Sequence, residues 1–279
     1  MTDATPDPLV AAPRTRSAPG GLASAVSRHA VTITSLAVMA VLLLAWEFLP
    51  PALDVPRFII PTFTQCLEEF GRMWRQNGLL GHVVSTAVFT VLGFAIGSAL
   101  GAAMGYLLGM SEFWERVLSP YILALQIAPK VAFAPLFIMW FGYNSMPKLL
   151  VTVLIVFFPV LVNVLQAMRT VDRDLVNLAR AYGYGRIGTF LKIELPSTLP
   201  NLMAGLRIAS TLAVIGVTVG ELVGGNTGLG FLISFGGGQA NAAMVFNAII
   251  LLTLIGVALY SVLVRIETRV LHYLPRAER

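Results

Sequence analysis

The residues whose types and spacing could do chemistry are concentrated at Gly183-Tyr184-Gly185-Arg186-Ile187-Gly188. This run satisfies G-x-G-x-x-G, the loop with which βαβ folds cradle the pyrophosphate of a dinucleotide. That chemistry needs a buried strand before the first glycine and an acidic residue about twenty positions later to hold a ribose hydroxyl. Here the preceding stretch is polar and helical in spacing, and Asn201 and Leu202 stand where the acid belongs. The match is therefore not a nucleotide site, and no G-x-x-x-x-G-K-[ST] occurs anywhere to cradle a phosphate. The single cysteine, Cys66, excludes an internal disulfide and a multi-cysteine metal site. His29, His82 and His272 lie too far apart to read as a metal cluster. No Ser, His and Asp set and no carboxylate pair is localised enough for catalysis, so the expectation is a non-enzyme without a cofactor.

What remains is charge set in apolar surroundings. Lys130 lies in the middle of an apolar run, where an ammonium is costly and faces either a transport pathway or a structural partner such as Glu221. Glu221 closes another apolar run and is followed by the charge-free, glycine-rich stretch 224–238, suited to tight re-entrant backbone. Glu221, with Gly228 and Gly230 beyond it, is accordingly a candidate gate.

The elements that must position these residues are membrane spans. With 57% apolar and 12% charged residues, and a mean hydropathy of +0.80, the chain does not suit a soluble fold. Met1–Arg28 is rich in Pro, Ala, Ser, Gly and Thr and reads as a disordered tail before a permease domain over 29–279. Six spans are predicted: Val31–Leu49, His82–Leu108, Arg116–Phe141, Met146–Met168, Pro200–Glu221 and Ala242–Val264. Prolines at 120, 129 and 135 break the third. In the second, Gly93, Gly97, Gly101, Gly105 and Gly109 form a small-xxx-small face, for static helix packing or for sliding. Between the first two spans, Thr62-Phe63-Thr64-Gln65 is a capping-box pattern that opens a short amphipathic helix expected to lie on the membrane surface.

Six spans place both termini on one side. If that side is the cytoplasm, Arg14, Arg16, Arg28, Arg116, Arg169, Arg173, Arg180, Arg186, Lys192, Arg265, Arg269, Arg276 and Arg279 are inside, and only Arg57, Arg72, Arg75 and Lys148 outside. This bias explains the net charge of +5 better than nucleic-acid binding does, and it puts the polar stretch 173–200 in the cytoplasm. There Leu175, Leu178, Ala179 and Tyr182, then Ile187, Phe190 and Leu191, mark two short amphipathic helices, with Gly183 and Gly185 at the turn and Pro196 as a stop. Leu175, Leu178 and Tyr182 are expected to pack on the spans. Arg180 and Arg186 are expected to stay exposed, either to a partner or simply to solvent.

Within 173–200, Ala179, Gly183, Ile193, Leu195 and Pro196 keep the spacing A-x-x-x-G-x(9)-I-x-L-P. This resembles the coupling loop of ATP-binding-cassette (ABC) importer permeases, E-A-A-x-x-x-G-x(9)-I-x-L-P, with Asn177 and Leu178 in place of Glu and Ala. Pro129-Lys130-Val131-Ala132, Pro135-Leu136-Phe137, Trp140-Phe141-Gly142, Gly220-Glu221 and Gly228-Leu229-Gly230 extend the resemblance over residues 61–271, and it is greatest to the nitrate, taurine and sulfonate branch. The resemblance implies an all-α permease in the bacterial inner membrane with both termini cytoplasmic. It implies a second permease subunit forming a homodimer, two copies of a separate ATPase docked on Asn177, Leu178, Ala179, Arg180, Gly183, Arg186, Ile193, Leu195 and Pro196, and an extracytoplasmic binding protein delivering a small solute. Lys130 and Arg207 point toward an organic anion. An ion-driven secondary transporter is the alternative, although such proteins carry several intramembrane acids and an inverted repeat.

Overall fold

The structure is a computed structural model that describes residues 21–272; the tail expected over 1–28 lies outside them up to residue 20. The chain divides into two units, Met1–Asp54 and Val55–Arg279. The first contains α1, Gly21–Ala52, of which Ala30–Ala52 is long and apolar enough to span a bilayer. Val31, Leu42 and Phe48 are among the large apolar side chains that give this stretch a composition suited to lipid.

The second unit is helical throughout its described residues. It comprises α2 (Phe63–Gln76), α3 (Leu79–Gly109), α4 (Glu112–Ile127), a 3-10 turn (Lys130–Phe133), α5 (Ala134–Phe141), α6 (Met146–Arg169), α7 (Arg173–Ala181), α8 (Arg186–Thr189), a π turn (Phe190–Glu194), α9 (Leu195–Gly224), α10 (Leu229–Gly238) and α11 (Ala242–Val270). Counting α4 and α5 as one span bent by 80°, up to six helices have the length and composition to cross a membrane, as the apolar runs predict. The bend falls at Pro129, which has no amide hydrogen to continue α4 and disfavours helical backbone at Ala128.

At the centre, α6 lies between α3 and α9. The glycine face of α3 meets α6 directly: a Cβ on Gly97 would lie 2.8 Å from the Val153 carbonyl, and one on Gly105 2.9 Å from that of Leu161. Opposite, Gly205 and Gly216 of α9 bring its backbone equally near Asn163 and Thr152. Lipid supplies no hydrophobic drive between helices, so such close approach lets dispersion hold them. Val156, Val160 and Val164 of α6 fill the remaining space with Ala209 and Ala213 of α9, all five fully buried.

A second core, Met73, Leu79, Leu229, Leu232, Met244 and Leu252, joins α2 and α10 to α11. The capping box at the start of α2 is present, with Thr62 Oγ1 accepting from Gln65 N and Gln65 Oε1 accepting from Thr62 N. Cys66, Glu69 and Met73 form the buried side of α2; Asn241 Nδ2 donates to Glu69 at 2.9 Å and Asn247 Nδ2 to the Cys66 carbonyl at 2.8 Å. Phe63, Leu67 and Trp74, on the other side of α2, are exposed.

Candidate functional site

Segment 173–200 is built from local signals. Asp172 caps α7 by accepting from Asp174 N at 2.8 Å. At the other end Gly183 takes φ +82°, and Tyr184 N donates to the Ala179 carbonyl while Gly183 N donates to that of Arg180, the paired bonds of a Schellman termination. Gly185 differs from expectation: with φ −70° and ψ 172° its backbone is extended, and Gly183 alone makes the left-handed reversal.

Pro196 also differs, because it does not stop a helix. The preceding turn widens to a π turn in which Leu195 N donates to the Phe190 carbonyl, five residues back. The wider turn accommodates the proline ring, and α9 runs on to Gly224. Tyr106 of α3 anchors this turn, packing edge-on against Phe190 at 5.3 Å and lying 3.1 Å from Thr198 Oγ1.

The apolar face of α7 points the opposite way from expectation. Only Ala179 is buried; Leu178 is 54% and Tyr182 78% exposed, and Leu175, Ile187 and Leu191 are open as well. Of this stripe the chain itself covers Ala179 alone, because periodicity marks an apolar side without deciding what packs on it. Asn177, Arg180 and Arg186 are exposed and Ile193, Leu195 and Pro196 half-buried. Arg186 nonetheless donates through Nη2 to the Met110 carbonyl at the end of α3.

The second candidate site surrounds Glu221, which is fully buried near the end of α9. Its carboxylate accepts from Thr86 Oγ1 at 2.9 Å and from Gly230 N at 3.0 Å, and pairs with Lys148 Nζ at 3.4 Å. Thr86 Oγ1 accepts in turn from Leu229 N at 2.8 Å, and the Lys148 ammonium also donates to Ser85 Oγ at 2.9 Å and sits over the Phe89 ring. His82 Nδ1 lies 2.9 Å from Gly228 N and 3.2 Å from the Gly228 carbonyl oxygen, so the ring is held on the Gly228 backbone. A Cβ at Gly228, whose φ is +110°, would collide with the Glu221 carboxylate. One carboxylate thus ties α3, α6 and the start of α10 to α9.

Lys130 does not pair with Glu221. Its ammonium donates to the Gln126 carbonyl, left without a helical partner by the break at Pro129, and lies over the Phe158 ring at 4.9 Å. The lysine on Glu221 is Lys148, which charge counting assigns to the water outside because it follows the loop 142–145. It is only 3% exposed. Thr86, Ser85 and His82 also escape sequence reasoning; the one signal for them is a run of polar groups on the first turns of an otherwise apolar span.

A bent span, a short helix packed against the last one, and a helical segment with exposed apolar side chains before a long span make this a bundle of helices suited to a membrane. Residues 97–272 match the family described as binding-protein-dependent transport system inner membrane component, and the chain belongs to it. It is a multi-pass permease subunit of an ABC importer, the non-enzymatic component of such a transporter. It is similar to the riboflavin transport system permease protein RibX of Chloroflexus aurantiacus, 38% identical over 80% of this chain and 83% of that one. The formylaminopyrimidine transport permease protein ThiX of Halalkalibacterium halodurans is 32% identical over 81% and 90%. The putative aliphatic sulfonates transport permease protein SsuC of Escherichia coli is 33% identical over 73% and 75%, in keeping with the nitrate, taurine and sulfonate branch. The inward-facing MetNI methionine ABC transporter has the same fold, with a TM-score of 0.61 at 20% identity over 72% of this chain and 98% of that one.

Proposed function

We propose that segment 173–200 is where a separate ATPase subunit docks and through which nucleotide-driven movement enters the membrane. The observation that carries this is the open apolar surface of Leu175, Leu178, Tyr182 and Ile187, held at a fixed angle by the turn at Gly183. Water-exposed apolar side chains on an ordered helix mark an interaction surface. Asn177, Ala179, Arg180, Arg186, Ile193, Leu195 and Pro196 complete the docking element. The positive-inside asymmetry supports placing it, with both termini, on the cytoplasmic side of a bacterial inner membrane. The assembly is two permease copies, two ATPase copies and an extracytoplasmic binding protein that delivers the solute.

Glu221, Gly228 and Gly230 then lie at the opposite end of the bundle, where they form the outer gate, and Lys130 lies at the break of the span that lines the pathway. The cargo is a small solute of the kinds the relatives are named for, an organic anion such as a sulfonate or an aromatic vitamin precursor. Copurification of the cognate ATPase with the wild-type chain and with Leu178→Asp tests the docking reading: equal recovery with both overturns it. Thermal shifts of the cognate binding protein with taurine, nitrate and riboflavin test the cargo.

A further inference from the structure

Among the spanning helices of the second unit, α4 is the one with no buried residue. Its Phe113, Trp114, Tyr121, Leu123, Leu125 and Ile127 are all exposed. What ties its first turn to the rest of the unit is charge. Glu115 accepts from Arg169 Nε at the last residue of α6, and its side chain is 13% exposed. Glu112 accepts from Arg173 Nη2 at 2.9 Å, at the first residue of α7, while its other oxygen accepts from Arg116 Nη2 at 2.8 Å. Both carboxylates lie in the first turn of α4, where the helix dipole attracts negative charge. Beside them Arg186 holds the Met110 carbonyl that ends α3.

These contacts bridge the two sides of a polar cavity of about 410 Å³ that opens between the α3–α4 corner and α7. Arg169 ends α6 and Arg173 opens α7, with three residues between them, so the two guanidinium groups hold α4 from both sides of the α6–α7 junction. At its far end α4 breaks by 80°, and Lys130 holds the carbonyls there. α4 is thus a rod gripped at one end by the segment that precedes and opens α7, with the break at the other.

We propose that Glu115, with Glu112 beside it, is the positioning residue through which movement of segment 173–200 reaches the broken span α4–α5. The inference rests on that segment being the ATPase dock. Without the clamp, α7 moves with α6 and α9, to which it is joined by the chain, and α4 stays behind. Glu115 touches neither solute nor nucleotide; it sets where α4 stands.

The test uses the full transporter with its ATPase in lipid nanodiscs, and spin labels at Tyr121→Cys on α4 and Ile215→Cys on α9, both exposed positions; Cys66 is buried and stays unlabelled. The probe is ATP with vanadate, so no cargo is required. In otherwise wild-type protein, ATP–vanadate changes the interlabel distance. In Glu115→Gln the change shrinks about fivefold, the scale of a partly exposed ion pair, while ATP hydrolysis per assembled complex continues. The reversed pair Glu115→Arg with Arg169→Glu restores it. An unaltered distance change in Glu115→Gln, no change in the parent, or failure of the reversed pair to restore it would each overturn the proposal with the docking reading intact. Failure of the ATPase to copurify with the parent overturns the docking reading instead.

Discussion

Removal of the carboxylate from Glu221 is expected to destabilise the bundle through the ammonium it leaves behind. Lys148 is 3% exposed, and in Glu221→Ala its ammonium keeps only Ser85 Oγ and the Phe89 ring as partners. Thr86 Oγ1 and Gly230 N lose their acceptor at the same time. Breaking one side of a buried pair costs about 3 to 5 kcal/mol, whereas replacing both sides with apolar or neutral groups of similar size is often nearly neutral. For a unit of this size, about 2 to 4 °C per kcal/mol gives a fall in Tm of about 6 to 20 °C. Glu221→Gln keeps the volume and a hydrogen-bonding head, and should lie at the lower end. Lys148→Met should fall by a similar amount, and Lys148→Met with Glu221→Gln should recover most of the loss, with a coupling of about 2 kcal/mol. The assay is thermal denaturation in detergent at a single scan rate, followed by the fluorescence of the native tryptophans. A loss below about 3 °C in Glu221→Ala, or simple additivity in the double variant, would refute the claim that this pair fastens α10 to the spans.

Gly183→Val should insert normally but retain less than about a fifth of the ATPase on copurification. A side chain there meets nothing within 4 Å, so the cost is the left-handed backbone alone, about 1 to 2 kcal/mol, enough to redirect the turn and too little to unfold the bundle. Gly185→Ala, in extended backbone, should behave as wild type in the same measurement. Leu178→Asp should change Tm by no more than about 2 °C, because the side chain is exposed, while ATPase recovery falls. Gly101→Val should lower Tm by more than about 5 °C, since its Cβ would lie 2.5 Å from the Phe157 carbonyl oxygen, a backbone atom that cannot swing aside.

The spans were legible because apolar length and the placement of glycines record membrane thickness and close helix approach directly. Thr62 with Gln65 and the turn at Gly183 were legible for a similar reason, since each is a local bonding pattern that a few neighbouring residues decide. Lys148 was not. A lysine two residues into an apolar helix has the same sequence signature whether it reaches water or turns inward, and the difference lies in Glu221, far along the chain. Pro196 misled because the rule that proline ends a helix assumes a regular preceding turn, and one π turn removes the clash. The outward face of α7 was hidden for a third reason: periodicity shows that a helix has an apolar side without showing whether this chain or another covers it.

The position of α6 between two walls of backbone has a consequence for evolution as much as for mechanics. A neighbour at 2.8 Å from a virtual Cβ leaves no slack on either side, so a change in register by one residue would swing the contact by about 100° and bring a valine where a glycine must be. α3, α6 and α9 therefore form a single indivisible block. Distances measured across it should be the same in every state of the transport cycle; an enlarged Gly93 or Gly109 can be offset by shrinking the facing Thr152 or Met168, whereas an enlarged Gly97 or Gly101, which faces an α6 carbonyl, cannot.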